Sequence, residues 1–134
     1  MLDCVKRCSV SSTLNNNYKD FGKVHLFDKN PETCWNSDCG SPQWIHLELH
    51  EVHRLVTFRI QFQGGFSSTE VTIEGWDGDE KNKYAFLVYP QDNSSVQSFN
   101  VHLPRKCSNY RLVFNKSSDL YGRIIIYRLE PEFE

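Results

Sequence analysis

Strict alternation of apolar and polar residues runs through the middle of this chain. In residues 43–49, Ile45, Leu47 and Leu49 fall on one side and Trp44, His46 and Glu48 on the other. In residues 55–62, Val56, Phe58, Ile60 and Phe62 oppose Thr57, Arg59 and Gln61, and in residues 69–75, Val71 and Ile73 oppose Thr72 and Glu74. A period of two sends alternate side chains to opposite faces of an extended strand, whereas an amphipathic helix needs a period of 3.6. No stretch longer than about ten residues has the helical period, and only a short helical turn at residues 24–28 is expected. Further strand-like runs cover residues 84–89, 98–103, 110–114 and 123–129. Turn-forming residues separate them: Gly64-Gly65, Asp77-Gly78-Asp79, residues 90–93 and residues 116–119. Seven or eight short strands with one buried face each predict an all-β fold, an antiparallel β-sandwich or jelly roll. At 134 residues the chain is expected to form a single domain over residues 1–134.

Charge and cysteine content narrow the function classes. Lys plus Arg number 15 and Asp plus Glu 17, a net charge of −2, which argues against direct nucleic-acid binding. Nothing approaches 18 consecutive apolar residues, so no transmembrane helix is expected. Asp3, Lys6, Arg7, Lys19, Asp20 and Lys23 interrupt the first 25 residues, which fits no signal peptide. The five cysteines, Cys4, Cys8, Cys34, Cys39 and Cys107, are an odd number, where a secreted domain of this size usually has an even set. Individually placed, reduced thiols are therefore expected. Zinc held by Cys4-x3-Cys8 and Cys34-x4-Cys39 with nearby histidines, or disulfides, are the alternatives. Structural zinc generally uses tighter spacings. Two glycosylation sequons, at residues 93–95 and 115–117, point towards export, but three-residue matches of this kind often arise by chance. The expected location is the nucleus and cytoplasm, without secretion.

Residues 22–44 carry the most specific pattern. His25-Leu26-Phe27-Asp28, then Glu32-Thr33-Cys34-Trp35-Asn36-Ser37-Asp38 and Gln43-Trp44-Ile45-His46-Leu47, resemble the entry segment of discoidin-type domains, also described as coagulation factor type C or galactose-binding-like. The loop Gln61-Phe62-Gln63-Gly64-Gly65-Phe66-Ser67-Ser68 and the closing Gly122-Arg123 with Ile126-Tyr127 resemble, more narrowly, a nuclear-receptor-associated protein family. That group is named for association with a testicular orphan receptor. Residues 26–38 are also similar to the Doc-type subunit of the anaphase-promoting complex.

The resemblance implies a discoidin-like jelly roll whose loops at one end hold the ligand or partner. Here these would be residues 15–23, 36–42, 63–68 and 116–123, with Gln63, Phe66, Ser67, Ser68, Tyr121 and Arg123 as candidate binding residues. Two adjacent glycines allow a sharp turn that presents Phe66, and an aromatic on a scaffolded loop suits a partner pocket. Arg123 could clamp a carboxylate or a carbonyl. In the competing reading, Phe66 folds back to plug the end of the sandwich and Arg123 pairs with Asp119 or Glu70. Many discoidin relatives hold calcium near the first loop, and Asp28, Asn30 and Thr33 match oxygen-donor positions there. Calcium asks for six to eight oxygens, yet Arg128 stands where relatives often place a glutamate. The alternative is that no cofactor binds and Asp28 braces its own loop through backbone N–H groups.

Other constellations carry less. Trp35 matches a position expected in the core, and Trp76, ending a strand, is the tryptophan expected to be exposed. His46, His50 and His53 lie near Glu48 and Glu51, but strand geometry gives them no common focus for a metal. No nucleophile elbow, papain-like cysteine context or phosphate-cradling loop is present, so an enzyme is not expected. The leading expectation is a non-catalytic protein-interaction module, which by resemblance associates with an orphan nuclear receptor and modulates, with repression the favoured direction, its transcriptional activity. No Leu-x-x-Leu-Leu segment occurs, so the usual coactivator groove is not the expected contact. The alternative is a carbohydrate- or lipid-binding lectin-like module, with a small glycan as ligand.

Overall fold

The alternation in the middle of the chain becomes two long antiparallel strands that anchor opposite layers of a sandwich. The computed structural model describes residues 3–134. Its strands are β1 (Val5–Val10), β2 (Trp35–Asn36), β3 (Gln43–His53), β4 (Leu55–Phe62), β5 (Val71–Trp76), β6 (Tyr84–Val88), β7 (Val96–Asn100), β8 (Cys107–Phe114) and β9 (Ile125–Phe133). One sheet has the order β1-β3-β8-β5-β6 and the other β2-β9-β4-β7. Every pairing is antiparallel. Among the described residues, helical structure is limited to α1 (Tyr18–Phe21) and three 3₁₀ turns, one of which, Lys23–Leu26, starts a residue before the turn expected from the sequence.

The inward sets match the alternation. Ile45, Leu47 and Leu49 of β3 are buried on the same sheet as Ile73, Leu112 and Phe114, and Phe58, Ile60 and Phe62 of β4 are buried on the other. The phase slips once. Leu55 is buried while Val56 is only half-buried, because the ladder to β9 shifts between Leu55 and Thr57. Trp35 is fully buried, its ring 6.3 Å from Phe114, and its indole N–H donates to the Ser12 carbonyl at 3.0 Å. Phe62 meets Phe114 edge-on at 5.9 Å, a favoured aromatic geometry.

Trp76 is not the exposed tryptophan the sequence suggests. It is 5% exposed, stacked on His46 at 5.2 Å and covered by the Arg111 guanidinium at 5.0 Å. Arg111 is itself held over the indole by Glu74 at 2.7 Å and Glu80 at 3.2 Å. His46 and Arg111 come from other strands, so local polarity at Asp77-Gly78 misleads. Strands β1 and β2 also escape the pattern. β1 has a bulge between Val5 and Arg7, and β2 is two residues long.

At the far end, the Tyr110 hydroxyl closes the β3–β4 junction. It accepts from the Leu55 and Cys107 N–H groups, both at 3.2 Å, and donates to the His53 carbonyl. The register places Gln43 beside Phe114, Phe114 beside Val71, and Phe62 beside Ile126. The starts of β3, β5 and β9 and the ends of β4 and β8 therefore share one end of the sandwich. Loops 37–42, 63–70 and 115–124 gather there.

Candidate functional site

The loop end is organised round a single carboxylate oxygen. Asp92 Oδ1 accepts from the Gly65 N–H at 2.9 Å, the Ser67 hydroxyl at 2.7 Å and the Ser118 hydroxyl at 3.2 Å. Gly65 has φ +88°, a left-handed conformation that glycine adopts without steric cost and that aims its N–H at Asp92. The Gly65 N–H is the main reason the Asp92 carboxyl is held below its ordinary pKa, with Ser67 and Ser118 adding to it against a smaller burial effect. The neighbouring Ser94 hydroxyl accepts from the Gly64 N–H at 2.9 Å.

The candidate residues fall into two groups. Ser67 and Ser68 are completely buried: Ser67 bonds Asp92, and Ser68 donates to the Glu70 carbonyl at 2.8 Å. They brace the loop from beneath and offer nothing to a partner, which corrects their expected role as contacts. Gln63 is half-buried and accepts from the Tyr127 hydroxyl at 2.8 Å, also a support. Phe66, Tyr121 and Arg123 reach the surface. Phe66 is half-buried beneath the Arg123 guanidinium, which lies 4.9 Å from the ring centroid, a cation–π geometry. Arg123 Nε also pairs with Asp119 Oδ2 at 3.4 Å. The ion-pair reading of Arg123 thus holds, with Asp119 as the partner, and Phe66 is neither a free anchor nor a buried plug.

The apolar tip beyond them was missed in part. Tyr121 is 67% exposed and Leu120 is 90% exposed. Leu120-Tyr121 is an apolar pair inside the polar turn of residues 116–123, a signal that was available in the sequence. The backbone behind the tip is firmly tied. The Gly40 N–H donates to the Tyr121 carbonyl at 2.8 Å, and the Gly40 carbonyl accepts from Gln43 Nε2 at 2.8 Å. Ser37 exchanges bonds with Ile124: its N–H donates to the Ile124 carbonyl and its hydroxyl accepts from the Ile124 N–H, both at 2.8 Å. A flat pair of apolar side chains on a pre-ordered turn loses little entropy on binding and can fill a partner's pocket.

The residues of the first loop do not fit calcium. Asp28 Oδ1 accepts from the Asn30 N–H at 3.0 Å, and Oδ2 accepts from the Thr33 hydroxyl at 2.6 Å and from His25 Nδ1 at 2.9 Å. The Asn30 side-chain oxygen accepts from the Glu32 N–H at 2.9 Å. The only carboxylate of the set thus has both oxygens committed within its own loop. His25 Nε2 faces the Lys19 carbonyl at 2.7 Å, so both ring nitrogens meet acceptors. The resulting hydrogen bonds, from Asp28 first, raise the His25 pKa. The histidines of β3 do not converge either: His46 bonds Asn109 Oδ1 at 2.9 Å, and His53 lies 6.4 Å from Phe133. Among the described residues, no three His, Cys, Asp or Glu side chains group as metal ligands.

A family model described as a NedA-like, galactose-binding domain matches residues 25–112. The nuclear receptor 2C2-associated protein of Danio rerio is 45% identical over 121 residues, covering 90% of this chain and 86% of that protein. The Homo sapiens protein of the same name is 43% identical over 120 residues, with 90% and 86% covered. The chain belongs to the nuclear receptor 2C2-associated protein family.

Solved structures share the fold. A chitosan-binding module from a Paenibacillus chitosanase/glucanase superposes with a TM-score of 0.76 at 18% identity, over 96% of both chains. A Clostridium perfringens module in complex with GalNAc-β-1,3-galactose gives 0.76 at 16% identity over 93% of each, and a Bacteroides fragilis F5/8 type C domain gives 0.78 at 13% over 96% and 90%. At such identities the likeness is one of fold, and the discoidin-like β-sandwich expected for the nuclear receptor 2C2-associated protein family is established. No catalytic family appears in these matches.

Proposed function

We propose that this chain is a non-catalytic adaptor that binds an orphan nuclear receptor, in the nucleus and cytoplasm, and lowers that receptor's transcriptional output. The shared name of its relatives supplies the receptor. The observation that carries the site is the Leu120–Tyr121 tip, 90% and 67% exposed on a turn tied down from behind. Arg123, stacked on Phe66 and paired with Asp119, stands beside it as the charged rim of the contact. Apolar anchors ringed by partly paired polar groups are the common anatomy of protein contacts.

The test is capture of purified full-length nuclear receptor 2C2 by the wild-type chain, by Leu120→Ala with Tyr121→Ala, and by Phe66→Ala with Arg123→Ala. The tip variant, whose altered side chains face solvent, is expected to keep its fold and to lose at least about tenfold in affinity. The second variant is expected to weaken capture less. Equal capture by the folded tip variant would remove the site. Saturable binding of galactose or chitotriose with no receptor capture would replace the adaptor reading by the glycan one.

A further inference from the structure

We propose that the outer edge of β6 is a self-association site, at which two copies of this chain pair antiparallel about Phe86. The site shares no residue with the loop tip. β6 ends the five-stranded sheet, and its pairing partner is β5. Just past the β5–β8 ladder, the Asn115 N–H donates to the Glu70 carbonyl at 3.2 Å. Backbone groups in an antiparallel sheet point alternately to one neighbour and the other. Glu70, Thr72 and Glu74 therefore face β8, and Val71, Ile73 and Gly75 face β6. Their partners Val88, Phe86 and Tyr84 face back, which leaves the N–H and C=O groups of Ala85 and Leu87 pointing away from the sheet. Among the described residues, no hydrogen bond reaches these four groups. Both residues are exposed, Leu87 to 44%. His102 meets the strand from the side of Phe86, edge-on to that ring at 5.8 Å.

Sheet edges are normally guarded by charge, shortness, bulges or a covering segment, because an unguarded edge recruits another strand. The other three edges here are less inviting. β1 has its bulge between Val5 and Arg7 and is packed by the Lys23–Leu26 turn, β2 has two residues, and β7 exposes the polar Ser98 and Asn100. β6 has none of these devices. Tyr84-Ala85-Phe86-Leu87-Val88-Tyr89 has no charge and no proline, and its aromatic and β-branched residues suit a strand. The charges around it are matched within the chain. Lys83 pairs with Glu74 at 2.9 Å, Arg111 holds both Glu74 and Glu80, and the exposed Asp79 and Lys81 of the preceding turn are opposite in sign.

The edge is complementary to itself, and this selects a second copy as the occupant. A two-fold axis at Phe86 sets Ala85 of each copy opposite Leu87 of the other, so the four open backbone groups of one copy meet the four of its partner. Each leucine then lies beside a small alanine on the same outer face, a favourable cross-strand pair. That face is uncharged along the row leading to the edge: Leu87 stands beside Thr72, Thr72 beside Val113 and Val113 beside Trp44. No like charges meet across the axis within β6, and a net charge of −2 per chain opposes association only slightly. A two-fold contact closes on itself and stops at the dimer. The paired segment is short, so the dimer is a weak one.

The experiment is sedimentation velocity of the whole chain from about 10 μM to 1 mM, beside Leu87→Lys, Leu87→Pro and the Leu120→Ala/Tyr121→Ala tip variant. A monomer–dimer equilibrium with its midpoint in roughly that range is expected. Leu87→Lys sets a charge on the exposed edge, and Leu87→Pro removes one open N–H. Each is expected to weaken dimerisation at least about tenfold while circular dichroism stays that of the wild type. The tip variant is expected to dimerise like the wild type. Hydrogen exchange at the Ala85 and Leu87 amides should slow as the concentration rises. A chain that stays monomeric up to about 1 mM, or a dimer kept by folded Leu87→Lys, would overturn the proposal. A dimer lost in the tip variant, or growth beyond the dimer, would do the same.

Discussion

Gly122 lies against Gly40 so closely that a Cβ on Gly122 would stand 2.7 Å from the Gly40 carbonyl carbon. Gly122 also has φ +88°, in the left-handed region. Gly122→Ala therefore meets both a steric clash and a backbone penalty, and is expected to cost at least about 2 kcal/mol in denaturant unfolding. Because the clash lies between loops 36–42 and 116–123, the same variant should lose receptor capture out of proportion to its lost stability.

Asp92 stands exposed but serves three donors, so Asp92→Ala is expected to cost about 1–2 kcal/mol, the low end for charge-assisted bonds because solvent screens them. Its folded pKa lies below the ordinary 3.8. The contribution is thus fully present above that value and fades as pH falls through the folded one. Amide exchange at Gly65 should accelerate in that acid window in the wild type, relative to its intrinsic rate, and no such step should appear in Asp92→Asn.

His25 runs the other way. Its pKa is raised, chiefly by the hydrogen bond to Asp28 and then by the Lys19 carbonyl. The contribution is present below the ordinary 6.5 and is lost as pH rises through the folded value. An NMR titration of His25 should show a midpoint above 6.5 that falls in Asp28→Asn. A midpoint unchanged by the substitution would remove Asp28 as the cause.

Tyr110→Phe deletes one hydroxyl that serves Leu55, Cys107 and His53. Two buried N–H groups lose their acceptor, and the expected cost is about 2–4 kcal/mol. Thermal unfolding measures it, and a loss below about 0.5 kcal/mol would mean that water takes over the role.

The thiols should label in a fixed order. Cys8 is buried and burial pushes its pKa up to about 11, while Cys107 is buried with its pKa raised for the same main reason. Cys39 is exposed on the loop beside Gly40. Iodoacetamide at neutral pH should modify Cys39 first and leave Cys8 until unfolding, as followed by mass spectrometry.

The sandwich was legible because its core strands alternate cleanly. Ile45, Leu47 and Leu49, or Phe58, Ile60 and Phe62, need no partner to declare their inward face. Strands β1 and β2 were hidden because a bulge and a two-residue length erase the period. Trp76 was misjudged because its cover, Arg111 and His46, comes from other strands. Of the loops the resemblance named, those at residues 36–42, 63–68 and 116–123 do gather at one end, whereas residues 15–23 do not join them; Ser67 and Ser68 are buried supports there and Asp92 was overlooked. Asp92 is distant from both loops in sequence, and its role appears only when Gly65 and Ser118 are brought to it. Leu120 was visible as an apolar residue within a polar turn and simply outweighed by its neighbours.

One oxygen atom of Asp92 shared by Gly65, Ser67 and Ser118 has an evolutionary consequence. Two loops at the proposed contact end answer to the same acceptor, so neither can drift without shifting the other. Substitutions in residues 63–68 and 116–123 should therefore be epistatic, and new partner preferences should arise through paired changes in those loops sooner than through either loop alone.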